Sequence, residues 1–395
     1  MARNPRAKII ALVVAIALVA VAAGTYALTR SVARQSALTT TARLRADHAA
    51  ASGSRSGSRA LSVLSVTPAA GTRHANGAEP VEVKFSAPLA ASSPTPTLSP
   101  AVAGQWNITG DAMTFTPDAP FSPSRKVTLR VPAGAAGVRS AAGGTLAAPL
   151  VTHFSTAAYS RLRLSELLAQ LGYLPLTWAP DLGGKVQSWQ NGGQGAAVSQ
   201  AAMAYSPPAG RFTWDPGYPA MLRSKWRPAA PNLIVRGAVM AFESQHGMQL
   251  GGVASPQVWQ ALFAAASRSQ INPAGYTYAV ASQLSPESLT IWHDGRVVMR
   301  SPANTGIPVS PTANGTFPVY LRYQFQIMRG TNPDGSTYAD PVSYVAYFNG
   351  GDAVHYFPRG SYGFQQSLGC VELPYAAAQQ AWPYLTYGSL VTVTG

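Results

Sequence analysis

From Pro80 to Leu89 the chain reads PVEVKFSAPL, with Val81, Val83 and Phe85 alternating with Glu82 and Lys84. The same period of two recurs in KVTLRV, where Val127, Leu129 and Val131 alternate with Thr128 and Arg130. Successive side chains of a strand point to opposite faces, so this spacing buries one face of a sheet and wets the other. Gly or Pro interrupts these runs about every ten residues, and Gly110-Asp111 separates the two arms of QWNITGDAMTFTP. Thirty-six glycines and 32 prolines among 395 residues suit short-stranded β architecture better than helical bundles. Residues 61–157 are therefore expected to form an antiparallel β-sandwich.

The opening SVTPAAG and closing THFST of that segment resemble bacterial immunoglobulin-like wall-protein domains. It holds no constellation that could do chemistry; His74 and His153 are lone and read as structural. Residues 160–270 change register. RLRLSELLAQLGYLP starts helical and stops at Gly172, and a Gly/Pro/Trp-rich middle follows from Trp178 to about Pro231. In NLIVRGAVMAFESQHGMQLGGVASPQVWQAL, Val235, Val239 and Phe242 recur at helical spacing, Gly247 closes the helix, and Ser255-Pro256 opens the next. This pattern resembles the small helical peptidoglycan-binding domain found beside wall hydrolases, with an unusually long middle. In that family His246 and Gly247 belong to a turn, so His246 reads as structural.

Ahead of these segments, Arg3, Arg6 and Lys8 precede an uncharged run of 21 residues, Ile9–Thr29, which Arg30 and Arg34 close. The run is long enough to cross a bilayer. Residues 1–30 therefore read either as a retained anchor or as a signal segment cleaved near Ala22 and Ala23. Both place the rest of the chain outside the cytoplasm. Residues 31–60, small, polar and basic, read as a flexible spacer. The formal net charge is +14, but residues 271–395 carry five Arg against six acids. The positive excess thus lies ahead of the last domain, where it suits anionic lipid headgroups and polyanionic wall polymers. No nucleic-acid motif accompanies it, and no nucleic-acid partner is expected.

From Tyr276 onward β signals return: SLTIWHDGRVVMR reads as a hairpin turning at Asp294-Gly295, STYADPVSYVAYF as a strand, and GSLVTVTG as a closing strand. Here sits Cys370, the one cysteine of the chain, in FQQSLGCVEL, and fifteen positions upstream, in DAVHYF, sits His355. A lone cysteine excludes an internal disulfide and, without context, reads as a small buried hydrophobe. A thiolate is also a strong nucleophile, and an imidazole is the group best suited to take its proton and return it to a leaving amine. Gly369 allows a tight turn in which the amides of Gly369 and Cys370 could converge on one oxygen.

Residues from about 271 to 395 resemble the catalytic domain of the L,D-transpeptidases, the YkuD type. The resemblance rests on HYFPRGSYGFQQSLGCVEL, on NTGIPVSPTANGTFPV upstream, and on AxxxWPYLTYGSLVTV downstream. It implies Cys370 as nucleophile and His355 as general base and then acid. The amides of Gly369 and Cys370 would form the oxyanion hole, Ser367 would belong to the same loop, and Tyr338 would assist from the preceding strand. Three positions depart from the family pattern: Leu368 where His is frequent, Glu372 where Arg is usual, and Tyr356 where Gly or Ser is common. Glu372 would either bias donor-stem choice through its charge or pair within the loop, with Arg359 the nearest candidate.

The implied architecture is multidomain and mainly β: an Ig-like sandwich (61–157), a helical wall-binding domain (160–270) and a mostly-β catalytic domain (271–395). The implied reaction attacks a tetrapeptide donor stem and passes the acyl group to an acceptor stem, giving a 3→3 peptidoglycan crosslink. Acylation of the same thiol by carbapenems is implied as well. An L,D-carboxypeptidase, in which water replaces the amine, is the alternative within the enzyme class. A wall-binding protein with a degenerate catalytic domain is the alternative outside it. No cofactor or metal is expected, since no His/Cys/Asp/Glu cluster is spaced to hold one.

Overall fold

The structure is a computed structural model that describes residues 60–181 and 194–395. The apolar run Ile9–Thr29 and the spacer lie outside the described residues. Within those residues no helix is long and apolar enough to cross a membrane.

Seven strands build the first part: β1 (Val63–Thr67), β2 (Val81–Phe85), β3 (Thr97–Ser99), β4 (Gly104–Thr109), β5 (Ala112–Pro117), β6 (Lys126–Val131) and β7 (Leu150–Ser155). They form two antiparallel sheets, ordered β1-β2-β5-β4 and β3-β6-β7. The period-two pattern does what it predicts. Val81, Val83 and Phe85 of one sheet meet Val127, Leu129 and Val131 of the other in a single core. Gly110, at φ 60°, makes the β4–β5 turn, so that Thr109 pairs with Ala112. His74 and His153 are both solvent-exposed.

The next part holds α1 (Arg161–Gln170), β8 (Leu176–Pro180), α2 (Gln194–Tyr205), β9 (Gly210–Trp214), α3 (Ala220–Arg223), α4 (Leu233–Gln245) and α5 (Pro256–Ser267). Ser255 caps its helix as expected from sequence, and Asn232 caps α4 as well. Ser255 Oγ accepts from Val258 N at 3.3 Å, and Asn232 Oδ1 accepts from Val235 N at 2.9 Å. Gly172 and Gly247 sit at φ 76° and 63°, where chains leave helices. His246 stacks on Phe242 at 3.9 Å between ring centroids, a packing position. Buried Glu243 accepts the amides of Gly251 and Gly252 at 2.7 and 2.8 Å, which ties the α4–α5 loop to its helix.

The third part contains β10 (Thr277–Ser282), β11 (Ser288–His293), β12 (Arg296–Pro302), β13 (Gly315–Pro318), β14 (Leu321–Thr331), β15 (Thr337–Asn349), β16 (Asp352–Tyr356), β17 (Val371–Leu373), α6 (Tyr375–Ala381) and β18 (Leu390–Thr394). One sheet runs β12-β11-β10-β18-β13, and a second runs β14-β15-β16-β17. Asp294 and Gly295, at φ 48° and 75°, form the expected hairpin turn between β11 and β12. His293 bonds Thr277 Oγ1 at 3.0 Å and packs on Tyr384. Between the sheets lies a core that includes Leu289, Ile291, Val354, Val371, Leu373 and Val391.

The helical segment and the third part share packing. Leu167, Leu168, Phe242 and Leu262 belong to one cluster with Tyr276, Tyr278 and Leu390 of the β10/β18 region. Tyr218 Oη donates to Tyr276 O at 2.8 Å. A Cβ on Gly237 would lie 2.4 Å from Gly388 O, so α4 approaches the chain before β18 at a distance only glycine allows. Apolar burial thus runs continuously across residue 270. A fragment starting at Ala158 should melt cooperatively. One starting at residue 271 should lose roughly 5 kcal/mol, the burial of Tyr276, Tyr278 and Leu390 being worth about 1.5–3 kcal/mol per large side chain. Equal melting temperatures for the two fragments in calorimetry would contradict this.

Candidate active site

The site is assembled by a short parallel pairing. Val354, His355 and Tyr356 of β16 lie opposite Val371, Glu372 and Leu373 of β17. Side chains alternate along each strand, so Val354, Val371 and Leu373 enter the core between the sheets. The other face carries Ala353 with Val342 and Val345 of β15, and the half-buried Cys370 packs against this group. His355 and Cys370 therefore face the same cleft, a cavity of about 660 Å³ that Tyr338, Tyr347, Asp352, Arg359 and Glu372 also line.

The NTG segment, Asn304 to Gly306, holds the Cys370 loop from behind. Asn304 and Glu372 exchange both backbone bonds, at 3.0 and 2.9 Å, and Thr305 O accepts from the amides of Gln366 and Ser367. Asn304 Oδ1 accepts from Gly363 N at 2.9 Å. Buried Glu287 fixes this segment in turn, taking Thr305 N at 2.6 Å and Thr305 Oγ1 at 2.8 Å. Ser367 Oγ donates to Cys370 O at 2.6 Å and accepts from Gly369 N at 3.2 Å. Of the two amides expected at an oxyanion, that of Gly369 is thus engaged by Ser367, and that of Cys370 has no backbone partner among the described residues. Gly369 sits at φ 116°, and a Cβ there would stand 2.7 Å from Asp352 Oδ1, so the position admits glycine alone.

His355 is 3% exposed. Its Nδ1 lies 2.9 Å from Tyr356 O. A carbonyl only accepts, so Nδ1 carries the proton and Nε2 keeps the lone pair. The Tyr356 contact uses the main chain, which explains why a Tyr side chain is tolerated there. Burial pushes the imidazole below its ordinary value; the Tyr356 carbonyl and the Glu372 carboxylate oppose that shift. Burial also pushes the Cys370 thiol up to about 12, the Ala353 amide opposing and the Asp352 and Glu372 carboxylates adding to the rise. The thiol is directed at Gly351 O, 3.7 Å away. At neutral pH the resting pair is a thiol and a neutral imidazole.

Glu372 is not a free carboxylate. Arg359 grips it in a two-pronged pair, Nε to Oε2 at 2.8 Å and Nη2 to Oε1 at 2.7 Å, and also donates to Gln366 O at 3.1 Å. The guanidinium lies 4.6 Å over the Phe357 ring. Of the two readings of Glu372, the structure displays the loop pair. Tyr338 stands on the cleft wall with its ring against Gly330 of the neighbouring strand. Burial raises its pKa, and the nearby Cys370 raises it further. Leu368 also lines the cleft, and its carbonyl accepts from Ser310 Oγ at 3.1 Å. Among the lining residues that escaped the sequence reading are Tyr347 and Asp352. Tyr347, whose hydroxyl donates to Gln326 Oε1 at 3.0 Å, sits in the strand-like run SYVAYF with no local feature to single it out. Asp352 carried only the weak signal of an acid three residues before His355. Among the described residues, no group of three or more His, Cys, Asp or Glu is placed to hold a metal.

Comparison with known proteins matches residues 57–156 to the family model of a bacterial Ig-like domain. Residues 277–393 match that of the L,D-transpeptidase catalytic domain. No curated protein matches the sequence. Among solved structures, an L,D-transpeptidase from Mycobacterium smegmatis is 16% identical, covering 85% of this chain and 99% of its own, with a TM-score of 0.28. L,D-transpeptidase 3 from Mycobacterium tuberculosis is 16% identical, covering 84% of this chain and 98% of its own, with a TM-score of 0.29. The catalytic domain of the E. faecium L,D-transpeptidase is 26% identical, covering 30% of this chain and 96% of its own, with a TM-score of 0.28. The assignment rests on the two family matches: behind a bacterial Ig-like domain the chain carries a catalytic domain of the L,D-transpeptidase family, and it is a peptidoglycan L,D-transpeptidase.

Proposed function

We propose that Cys370 is the nucleophile and His355 the base of a two-step acyl transfer that makes 3→3 crosslinks. One observation carries the reading. His355, with its proton held on Nδ1 by the Tyr356 carbonyl, keeps an unprotonated Nε2 and lines the same cleft as the half-buried thiol. In the first step sulfur attacks the carbonyl of the third residue of a tetrapeptide stem as its proton passes to Nε2. The carbonyl oxygen becomes an oxyanion, and the Cys370 amide, which has no backbone partner among the described residues, would receive it. The C–N bond then breaks, His355 returns the proton to the departing D-Ala nitrogen, and a thioester remains. In the second step the side-chain amine of another stem attacks the thioester and sulfur leaves. Acylation by carbapenems would follow the first step alone.

The Arg359–Glu372 pair bears on the donor. With its carboxylate gripped by a guanidinium, Glu372 does not repel a free stem carboxylate, so the charge-driven preference for amidated stems loses its cause. Tyr338 is proposed to contact the donor from the β15 wall of the cleft.

Ahead of the catalytic domain we place functions of retention. The run Ile9–Thr29 would hold the chain at the membrane or direct its export. Residues 160–270 and the positive excess ahead of residue 271 would favour wall polymer. Retention on isolated sacculi should therefore fall as salt is raised, since exposed charges are screened over a Debye length of about 10 Å at 0.1 M. Salt-insensitive sedimentation would argue for a purely non-ionic contact.

The chemistry is tested by variants. Cys370→Ser should abolish 3→3 dimers in muropeptide analysis. His355→Ala should lower acylation by a factor of about 10²–10⁴, the usual worth of a positioned acid–base group. Undiminished dimers from the first variant would remove Cys370 from its role. Unchanged acylation in the second, with only a lower melting temperature, would make His355 structural.

A further inference from the structure

Two carboxylates act on the Cys370 thiol, and they are held differently. Glu372 is neutralised by Arg359. Asp352, at the start of β16, forms no ion pair with a Lys or Arg among the described residues. Its Oδ2 accepts from Asn349 Nδ2 at 3.2 Å and from Ala313 N at 3.3 Å. Its Oδ1 has no hydrogen-bond partner there and lies against Gly369, the residue before the nucleophile, 2.7 Å from where a Cβ would stand. Next to it, Gly351 O receives the thiol at 3.7 Å, and both residues line the cleft. The β15–β16 turn thus sets two oxygens that can only accept at the Gly369–Cys370 segment, the Gly351 carbonyl against the sulfur and the Asp352 carboxylate against Gly369. The cleft as a whole is anionic, with Asp334, Asp340, Asp352 and Glu372 against Arg329 and Arg359.

Such a carboxylate works against the first step, because it disfavours the thiolate. It favours a cation arriving beside the sulfur, which is what the second step requires. We propose that Asp352 and the Gly351 carbonyl form the binding site for the protonated side-chain amine of the acceptor stem. The proposal rests on the two-step acyl transfer described above and adds where its second substrate binds. The ammonium docks between the two oxygens and loses one proton to solvent. The amine nitrogen bonds to the thioester carbon, the C–S bond breaks, and a second proton passes through His355 to the departing sulfur. Per turn of this step, one thioester and one ammonium give one amide, one thiol and one released proton.

The experiment uses the full chain with a tetrapeptide donor and a varied amine acceptor. Asp352→Asn keeps the shape and removes the charge. It should raise the acceptor KM about tenfold or more, since each factor of ten is about one lost short-range charge contact. Product should shift from dimer toward hydrolysed stem, while β-lactam acylation is not slowed. Asp352→Glu should recover much of the acceptor saturation. Wild-type enzyme gives an independent readout. An acceptor whose amine is converted to a guanidinium should compete with the amine, and the N-acetylated acceptor should not. An unchanged acceptor KM and dimer-to-hydrolysis ratio in Asp352→Asn would overturn the proposal, as would equal competition by the two analogues. Wild-type enzyme that forms no thioester or no dimer would instead overturn the underlying reaction and would be recognised before any variant is made.

Discussion

Three residues of parallel pairing, Val354–Tyr356 against Val371–Leu373, decide where everything else in the catalytic domain must be. They set the imidazole and the thiol on one face, and they do so only while β17 keeps its register. A strand of three residues cannot hold register by itself. Asn304 supplies the missing constraint by bridging Glu372 on its other edge, and buried Glu287 anchors the NTG segment by two short bonds to Thr305. Cys370 is thus positioned mostly by main-chain bonds that a side-chain substitution cannot remove. This explains why Leu368 and Tyr356, which depart from the family's usual residues, leave the arrangement intact: the groups used at both positions are carbonyls.

The electrostatics of the cleft follow from the same packing. Burial against Ala353 and the β15–β16 turn disfavours charge on both partners, so the pair rests neutral rather than as thiolate and imidazolium. In the proposed reaction, proton transfer then has to accompany attack by the thiol. A neutral thiol is also less reactive toward stray electrophiles, which suits a lone free cysteine in an oxidising setting. The Arg359–Glu372 pair neutralises one side of the cleft, and Asp352 leaves the other side anionic. The two sides of the cleft therefore differ in charge, which suits the proposed peptide donor and ammonium acceptor.

Much of this was legible in the sequence. Hairpins followed from Gly110-Asp111 and Asp294-Gly295, helix limits from Ser255, Gly172 and Gly247, and the cleft shared by Cys370 and His355 from the lone cysteine with a His fifteen positions upstream. What escaped reading depends on contacts between distant segments. Nothing local in FESQ or GSLVT announces that α4 packs against the chain entering β18, so the continuity of the core across residue 270 was invisible. Arg359 and Glu372, thirteen residues apart, meet only because the intervening loop folds back beneath Asn304. The engagement of the Gly369 amide by Ser367 Oγ likewise depends on a loop geometry that the motif does not encode. Asp352 read as an ordinary strand-end acid, because its lack of a cationic partner is a property of the fold.

The central claim is that the Cys370 thiol, the proposed nucleophile, is uncharged at rest. It is tested most directly by the pH dependence of Cys370 alkylation by iodoacetamide, a neutral reagent that reports the thiolate fraction. With the thiol pushed up to about 12, the rate should keep climbing through pH 9 and beyond without a plateau at neutral pH. A plateau reached near pH 7 would mean a preformed thiolate–imidazolium pair and would contradict the account.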